Sequence, residues 1–589
     1  MNKRIHELKQ ILISSHQVAR NQGLISLVTQ TMQKIKKGDY AIAAPIISDG
    51  DYARWMHMHE PKEQDLAEQQ KLAGKLSYRP LISIVTPVSN PPPELLEDTL
   101  SSVTSQTYDN WELCLADANS NQEAKNLIKT FADRDARISV RILDRNQGIS
   151  GNSNAAIEHC RGDYTAFLDH DDTLAPNALF EVVNCLSRNQ DSDLIYSDRD
   201  HLTAEGKRTD PLFKPDWSPD MMLCANYVTQ LMIIKTKLLK QLGGLRPEMD
   251  GAQDWDLILR VAEKTDRILH VPKILYHWRQ TPTSVSFGNM RAKPYAKQAQ
   301  LLTLNQYLSR NGLQGIVRRR RVGYPRIEWS IVPSILVSVV IFDNSRWHFS
   351  LHRCVASIIS RTAYPNYEIV IVRDENASVK AILPKDSRIR SLTSSRPLNF
   401  AHANNLGAEK ARGEVIVFLD LRSEALSTNW LNELVGWCMV PQIGAVGPQI
   451  VGPDDRILGG VITVGLPNYL FNGARQGSET LLGSTEWYRD CAALSGMCLA
   501  TKRQIFKEVG PFNEERSSTP NLEYCHRLRS RNYRIMHTPQ AKLILRESQD
   551  VVEPLDQFHQ FVKLVPERDP YYNPNLSYVN SIPTLERVP

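Results

Sequence analysis

The clearest pattern of apolar and polar positions in this chain lies between residues 146 and 172. A glycine-containing polar stretch precedes a helical pattern over residues 152–160, a turn at residues 161–163 and an apolar strand over residues 164–168. Three carboxylates follow the strand at once: Asp169, Asp171 and Asp172. Because open α/β sheets bind ligands at the carboxyl ends of their strands, the pattern predicts an α/β fold with a site at these carboxylates.

The acidic turn at residues 169–172 has two interpretations. Three carboxylates within four residues repel one another unless a cation lies among them, and hard divalent ions prefer oxygen ligands. The alternative is a turn that caps a following helix, since Asp is a good N-cap and residues 173–176 could start one. We favour the metal site, because a loop, a helix and a strand lead into the turn.

The second half of the chain repeats the first. Residues 337–342 (VSVVIF) match residues 82–87 (ISIVTP), and further matches follow in the same order until Pro539, which matches Pro272. Each repeat is the size of a domain and too long for a solenoid unit. The sequence therefore predicts a tandem pair of similar domains, the first copy and the second copy.

Residues 80–285 resemble family 2 glycosyltransferases, which have the GT-A fold. The resemblance rests on the strand ISIVTPV, the strand that ends at Asp117, the acidic turn and the motif QDWDLILR at residues 253–260, all in one order. It implies two tandem GT-A domains, which are Rossmann-like, with an N-terminal helical extension. The predicted parts are a helical extension at 1–78, a catalytic domain at 79–285, a helical and basic linker at 286–333, a second GT-A-like domain at 334–550 and an extended tail at 551–589.

The resemblance also implies roles for single residues. Asp254 would be the catalytic base, with a helix cap as the structural alternative. The donor-binding residues would be Thr86, Pro87, Val88, Asp117, Asn154 and Asp169. The metal ligands would be Asp171, Asp169 and His277, holding Mn²⁺ or Mg²⁺.

Several of these roles have a structural alternative. Asn154 is equally well explained as an amide that satisfies the loop backbone, and His277 as a packed imidazole. Asp172 either supports the metal ligands or caps a helix. The family usually places an Asp-Asp pair against the nucleotide base, whereas here Ala118 follows Asp117, so half the pair remains.

The implied activity is inverting, metal-dependent transfer of a sugar from a UDP- or dTDP-linked donor. The acceptor would be a glycan or a lipid-linked glycan, in bacterial surface polysaccharide (O-antigen or capsule) synthesis. A sugar nucleotidyltransferase is the first alternative, but it needs a glycine-rich triphosphate loop, and residues 86–93 hold four prolines and no glycine. The second alternative is a non-catalytic scaffold that binds nucleotide sugars.

The two copies differ where the chemistry would occur. Arg422 replaces Asp171, Asn521 replaces Asp254, Glu523 replaces Asp256, and Ile544 replaces His277. An amide cannot accept a proton as a carboxylate does. We therefore predict that the second copy keeps the fold without the reaction.

Charge and cysteine content narrow the partners and the compartment. A net charge of +5 suits an anionic donor or a membrane surface, and nucleic acid is excluded as a partner because no clustered basic face is evident. Nine scattered cysteines and an N-terminus without a signal peptide predict a cytoplasmic protein, free or peripheral at the inner face of the plasma membrane. The amphipathic pattern at residues 1–38 favours packing over membrane docking, and a homo-oligomer is left open.

Overall fold

Two large sheets organise the described part of the chain. The computed structural model describes residues 47–280, 294–319, 323–330, 334–343, 348–375, 382–515, 520–546 and 568–586. The helical pattern predicted at residues 1–38 lies outside the described residues. Everything described below belongs to the unit that starts at Ile47.

The first copy is a mixed sheet with helices on both faces. Its strands follow the order β3-β2-β1-β4-β8-β6-β9-β5, and β7 pairs with β6. The elements up to β9 are α1 (Asp49–His59), α2 (Glu63–Ala73), β1 (Ile82–Val88), α3 (Pro93–Thr104), β2 (Trp111–Asp117), α4 (Gln122–Arg134), β3 (Ile138–Ile142), α5 (Gly148–Ile157), β4 (Tyr164–Phe167), β5 (Thr173–Leu174), α6 (Ala178–Leu186), β6 (Leu194–Leu202), β7 (Arg208–Leu212), β8 (Met232–Lys235), α7 (Thr236–Gln241), α8 (Gln253–Ala262) and β9 (Ile268–Arg279).

Parallel pairing of β1 with β2 and β4 positions the candidate site. All residues of β1 and β2 are buried, as expected for central strands covered on both faces. Val88 lies opposite Asp117, and Val85 lies opposite Phe167. The carboxyl ends of the three strands therefore meet at one edge, where the acidic turn also lies.

A helix and a hairpin connect the two copies. They are α9 (Pro294–Arg310), β10 (Gly315–Arg319) and β11 (Pro325–Trp329). The hairpin packs on the second copy, where Ile327 N donates to Tyr488 Oη at 3.0 Å. Trp329 lies so close to Gly436 that a Cβ there would be 2.1 Å from its ring.

The second copy repeats the strand order of the first. Its order is β14-β13-β12-β15-β24-β17-β25-β16, with β18 and β22 at the side. The elements are β12 (Val337–Asp343), α10 (His348–Arg361), β13 (Tyr367–Asp374), β14 (Ile389–Ser394), α11 (Phe400–Lys410), β15 (Val415–Leu419), β16 (Ser423–Ala425), α12 (Trp430–Met439), β17 (Ile443–Val451), β18 (Ile457–Gly459), β19 (Val461–Ile462), β20 (Glu479–Thr480), β21 (Gly483–Ser484), β22 (Arg489–Asp490), β23 (Ala493–Leu494), β24 (Cys498–Lys502), α13 (Arg503–Val509), α14 (Pro520–Arg529) and β25 (Arg534–Leu545). The tandem α/β prediction is confirmed.

The repeat extends to single hydrogen bonds. In the first copy, Ser83 Oγ donates to Glu112 and accepts from Gly162 N. In the second copy, Ser338 Oγ makes the same pair of bonds with Glu368 and Gly413 N. Glycine is needed at both turns, because a Cβ would lie 2.6 Å from main-chain atoms of the first strand.

Local boundaries differ from the sequence predictions at the acidic turn. Thr173–Leu174 forms strand β5, which pairs with β9, and helix α6 begins only at Ala178. The turn therefore does not cap a helix. The helix before the turn spans Gly148–Ile157 instead of residues 152–160, because Asn146 and Asn152 bond the Gly148 and Gln147 amides and close its first turn.

The first and last described segments pack on the first copy. Tyr52 Oη of α1 donates to Asp200 at 2.6 Å, and Asn573 Nδ2 in the C-terminal segment donates to Asp198 at 2.8 Å. Among the residues that the structure describes, none of the helices combines the length and apolar character needed to span a bilayer.

Candidate active site

The acidic turn leaves two of its carboxylates partly exposed and buries the third. Asp172 is 1% exposed and accepts from Tyr276 Oη at 2.5 Å and from Arg279 N at 2.7 Å. Burial, followed by the charges of Asp171 and Asp169, raises the pKa of Asp172 well above its usual range. Asp172 therefore serves to hold the turn against β9.

Asp169 and Asp171 are the carboxylates that could hold a metal ion. Within the described ranges, no group of three or more His, Cys, Asp or Glu side chains is arranged to hold one. Two carboxylates still fit Mg²⁺ or Mn²⁺, since Mg²⁺ is commonly bound by one or two carboxylates together with substrate phosphates and water. The donor set thus suits an ion that arrives with a diphosphate.

His277 is not brought to the predicted ligand set. Its Nδ1 lies 2.7 Å from Asp200 Oδ1, and the side chain is buried. Neighbouring residues of a strand face opposite sides of the sheet, and Tyr276 points to Asp172. Among the described residues, Asp171, Asp169 and His277 do not form a group of three side chains arranged to hold a metal ion. The contact with Asp200 suits a packed imidazole, but a ligand imidazole also bonds a carboxylate through its other nitrogen, so the role of His277 stays a prediction.

The predicted nucleoside site lies where β1 and β2 end. Asp117 is 1% exposed; its Oδ1 accepts from Ser120 N at 3.0 Å, and its Oδ2 has no hydrogen-bond partner among the described residues. Asn90 joins the two loops by accepting from Asn121 N and by donating its own N–H to Ser120 Oγ. A buried, unpaired carboxylate oxygen is a fitting acceptor for the N–H of a nucleobase.

Of the three predicted loop residues, only Pro87 lines the pocket at this edge. The Thr86 and Val88 side chains are fully buried, so these two residues can offer only main-chain groups. Even the Val88 carbonyl is occupied, because it accepts from Ala118 N at 2.8 Å. Pro87 O lies 2.9 Å from His170 Nδ1, which ties this loop to the acidic turn.

The Asn154 amide is occupied at both ends. Its Nδ2 donates to Leu245 O at 2.8 Å, and its Oδ1 accepts from Leu245 N at 2.9 Å. In the second copy Asn405 makes the same two bonds with Phe512. The geometry supports the structural alternative for Asn154, an amide that satisfies a loop.

One pocket brings Asp254 together with the acidic turn. Its lining comes from β1, β4, α5, the loop before β8, α8 and β9, and includes Pro87, Ile149, Phe167, Asp169, Leu245, Asp254 and Tyr276. Asp254 is the second residue of α8, whose N-cap is Ala252, so it does not cap the helix. Its Oδ2 accepts from Asn226 Nδ2 at 2.9 Å. No sequence motif predicted a role for Asn226.

Burial raises the pKa of Asp254, and the hydrogen bond from Asn226 opposes that rise. A carboxylate acts as a base only when ionised, so activity is lost as the pH falls through this pKa. We predict that Asn226→Ala removes a bond that stabilises the carboxylate and moves the acid limb of the kcat–pH profile to higher pH. Asn189→Ala, at an exposed amide that bonds the Cys185 carbonyl, should leave the limb in place. A limb unmoved by Asn226→Ala would show that it belongs to another group.

Asp256, two residues further on, is committed to an ion-pair cluster. Its side chain is fully buried. Arg260 Nε donates to it at 2.8 Å, and Arg246 donates to both of its oxygens. Asp256 therefore supports the fold beneath the pocket and is not available as a base.

Comparison with known proteins places this geometry in a family. Residues 83–240 and 339–510, together more than half of the chain, match the family described as Glycosyl transferase family 2. The chain belongs to glycosyltransferase family 2. Each matched stretch covers most strands of one of the two repeated sheets and ends before its long strand β9 or β25, which agrees with the GT-A fold and the tandem arrangement.

Two relatives resemble almost the whole chain. An uncharacterised protein, y4gI, of Sinorhizobium fredii is 35% identical over 87% of this chain and 60% of its own length. The O-antigen biosynthesis protein RfbC of Myxococcus xanthus is 32% identical over 92% of this chain and 43% of its own length. This chain therefore spans less than two thirds of either relative.

A solved structure gives a more distant likeness. It contains residues 1–349 of S. aureus TarS in complex with UDP. The aligned part is 39% of this chain and 72% of the TarS chain, with 19% identity and a TM-score of 0.30. The family 2 assignment rests on the two matched stretches and not on this likeness.

The second family 2 copy has lost the acids of the first. Arg422 Nε donates to Asp420 Oδ1 at 2.9 Å, so a guanidinium lies beside the carboxylate that matches Asp169. Asn521 Nδ2 donates to Leu494 O at 2.8 Å, and Glu523 pairs with Arg527 at 2.7 Å. None of these contacts provides a base in a pocket.

Aromatic rings stand where the first copy has its pocket lining. Ile149, Phe167 and Leu245 line the first pocket, and the matching residues of the second copy are Phe400, Phe418 and Phe512. The Phe512 ring centre lies 6.0 Å from that of Phe400 and 4.9 Å from that of Phe418. The Phe512 ring therefore packs on both other rings at the position that matches the pocket of the first copy.

Proposed function

We propose that the chain is an inverting, metal-dependent glycosyltransferase that takes a sugar from a UDP- or dTDP-linked donor. One observation carries the proposal: Pro87, Asp169 and Asp254, drawn from three separate motifs, line a single pocket. Asp171 follows Asp169 by two residues on the same turn. This arrangement supports a donor-binding loop, a metal-binding turn and a base that act in one cleft.

The residues divide the reaction among them. Asp169 and Asp171 would hold a divalent ion, which when bound neutralises charge on the departing diphosphate. Asp254 removes the proton of the acceptor hydroxyl as that oxygen attacks the sugar. A single displacement with one base inverts the anomeric centre, unlike the two-carboxylate retaining route of glycoside hydrolysis.

Nucleoside binding would rest on Asp117. Its unpaired Oδ2 can accept from the ring N–H of uracil or thymine, which supports UDP or dTDP as the leaving group. Pro87 lies beside it at the end of β1 and fixes the backbone of the loop, because its ring restricts φ.

The acceptor is proposed to be a glycan or lipid-linked glycan of a bacterial surface polysaccharide. RfbC, which is similar to 92% of this chain, is named for O-antigen biosynthesis. The location, cytoplasmic or at the inner face of the plasma membrane, and any homo-oligomer stay predictions. A scaffold that only binds nucleotide sugars would not need the half-buried Asp254 in the pocket, and a nucleotidyltransferase would need a glycine-rich loop after β1.

The second copy is proposed to be inactive. The Arg422–Asp420 pair would take the place of the metal site, and Phe512, packed on Phe400 and Phe418, would take the place of the pocket. The second copy would instead support the function of the first copy.

Metal-dependent nucleotide binding tests the proposed function. We expect UDP or dTDP to raise the melting temperature of the full chain more with Mn²⁺ than without it. Asp171→Ala should weaken Mn²⁺-dependent UDP binding by at least the ~10–100-fold that the loss of a ligand's supporting partner costs, measured by calorimetry. Asp109→Ala, an exposed carboxylate at the opposite edge of the sheet, is the matched control. Unchanged Mn²⁺ and UDP binding in Asp171→Ala would remove the metal assignment.

A further inference from the structure

One segment of the first copy touches the second copy along its length. Residues 213–227, the bridging segment, form most of the connection between β7 and β8. Phe213 N donates to Leu481 O at 2.9 Å, and Cys224 Sγ accepts from Tyr488 N at 3.2 Å. The bridging segment is therefore held at both ends by the second copy.

The middle of the bridging segment is held by charge. Arg534 donates to both oxygens of Asp220, at 3.0 and 3.1 Å, and its Nε lies 3.6 Å from Asp490. Ser218 Oγ donates to Asp490 at 2.5 Å, and Asp220 N donates to it at 3.2 Å. Asp220 and Asp490 are both buried. Bidentate, charge-assisted bonds of this kind fix both distance and orientation.

In the first copy, the arginine that matches Arg534 makes its ion pair inside its own copy. The residue that matches Arg534 is Arg267, which pairs with Asp193 inside its own copy and is half exposed. Arg534, by contrast, pairs with Asp220 of the first copy, and its side chain is 22% exposed. The contact is therefore specific to the arrangement of the two copies.

The far side of the bridging segment holds the candidate base. Asn226 Nδ2 donates to Asp254 Oδ2 at 2.9 Å, and Met222 O accepts from Trp255 Nε1 at 2.8 Å. Two consecutive residues of α8 are thus bonded to this segment. The titratable groups that share the pocket with Asp254 are Asp169 and Tyr276.

We propose that Asp490 and Arg534 of the second copy are positioning residues for the catalytic base of the first. They fix the bridging segment so that Asn226 and Met222 hold Asp254 and Trp255 in place. The proposal rests on the proposed function of Asp254. A misplacement of about 1 Å in a reacting group can lower a rate by about 10²-fold, so a loosened segment should affect turnover while the donor site stays intact.

Arg534→Met in the full chain tests the proposal by activity. Turnover is followed as nucleotide released from UDP- and dTDP-sugars in the presence of cell-envelope glycans. We expect kcat to fall by roughly 10- to 100-fold, with the donor KM and Mn²⁺-dependent UDP binding within a few-fold. The acid limb of the kcat–pH profile should move to higher pH, the direction predicted for Asn226→Ala. Arg534→Lys, which keeps the charge but not the fork, should recover part of the loss.

Arg388→Met is the matched control. Arg388 makes a similar bidentate pair, with Asp386, inside the second copy and away from the bridging segment. Asp220→Asn should cost little more in the Arg534→Met background, because Arg534→Met has already removed the ion pair that joins the two residues. If Arg534→Met does not fold, Asp220→Asn, a nearly isosteric change that removes the charge paired with Arg534, takes its place.

Hydrogen exchange tests the proposal without activity. Arg534→Met should increase exchange in residues 213–227 and at the start of α8, whereas Arg388→Met should not. Wild-type kcat, pH limb and exchange in Arg534→Met would overturn the proposal, even if the melting temperature falls. If Asp254→Asn itself keeps full turnover, the proposed function fails first, and that result is distinct from an inactive Asp254→Asn beside a fully active Arg534→Met.

Discussion

Asp254→Asn is expected to lower kcat by about 10²–10⁴-fold, the usual contribution of a general base. Donor affinity should stay within a few-fold, because Asp254 acts on the acceptor hydroxyl and not on the diphosphate. The substitution is nearly isosteric, and the new amide oxygen can still accept from Asn226 Nδ2, so α8 should keep its place. The measurement is steady-state turnover together with Mn²⁺-dependent UDP binding by calorimetry.

The control for this change is Asp250→Asn, because Asp250 lies shortly before α8 and bonds the Ser150 amide. It should keep measurable turnover under conditions where Asp254→Asn has none. Residual transfer in Asp254→Asn that disappears on adding Glu523→Gln would assign activity to the second copy. Wild-type turnover in Asp254→Asn would move the base elsewhere in the pocket.

Asp256→Ala is expected to destabilise the fold by about 3–5 kcal/mol, the cost of removing one partner from a buried ion pair. The change leaves Arg246 and Arg260 without the carboxylate that joins them, and Arg260 is almost fully buried. Chemical denaturation should show an earlier midpoint with little change in slope. The loss should appear as lower stability and not as a changed pH limb.

Asp133→Ala gives the comparison for an exposed pair. Asp133 and its partner Lys129 are 64% and 72% exposed, and such pairs contribute about 0–1 kcal/mol. A loss at Asp256 as small as that at Asp133 would mean that water reaches the cluster. In that case Asp256 would have to be reconsidered as a candidate base.

The fold could be predicted from the sequence because its signals are local and repeated. Apolar runs such as ISIVTPV and VSVVIF predict buried central strands, and the match between the two halves predicts one strand order used twice. Helix ends were less accurate. The helix before the acidic turn begins at Gly148 because side chains of Asn146 and Asn152 close its first turn, and residue type alone does not reveal such bonds.

Only part of the candidate site could be predicted from the sequence, for a similar reason. Asp169 and Asp254 reach one pocket as predicted, although their roles stay predictions. Asn154 and His277 have the residue types that ligands require, yet both ends of the Asn154 amide bond Leu245, and His277 Nδ1 lies beside Asp200. Arg534 and Asp220 are 314 positions apart, and no motif links them. Hydrogen-bond partners belong to the folded chain and not to the spacing of residues.

The packing of Phe512 on Phe400 and Phe418 bears on the stability of the second copy. A cleft that admits a ligand leaves its walls without neighbours on one side, and those walls forgo dispersion contacts. In the second copy Phe512 packs on Phe400 and Phe418 at the matching position, so these side chains regain such contacts. Because stability and reactivity compete within one domain, a second copy without the proposed chemistry can keep this packing, while the first copy keeps the pocket that Asp254 lines.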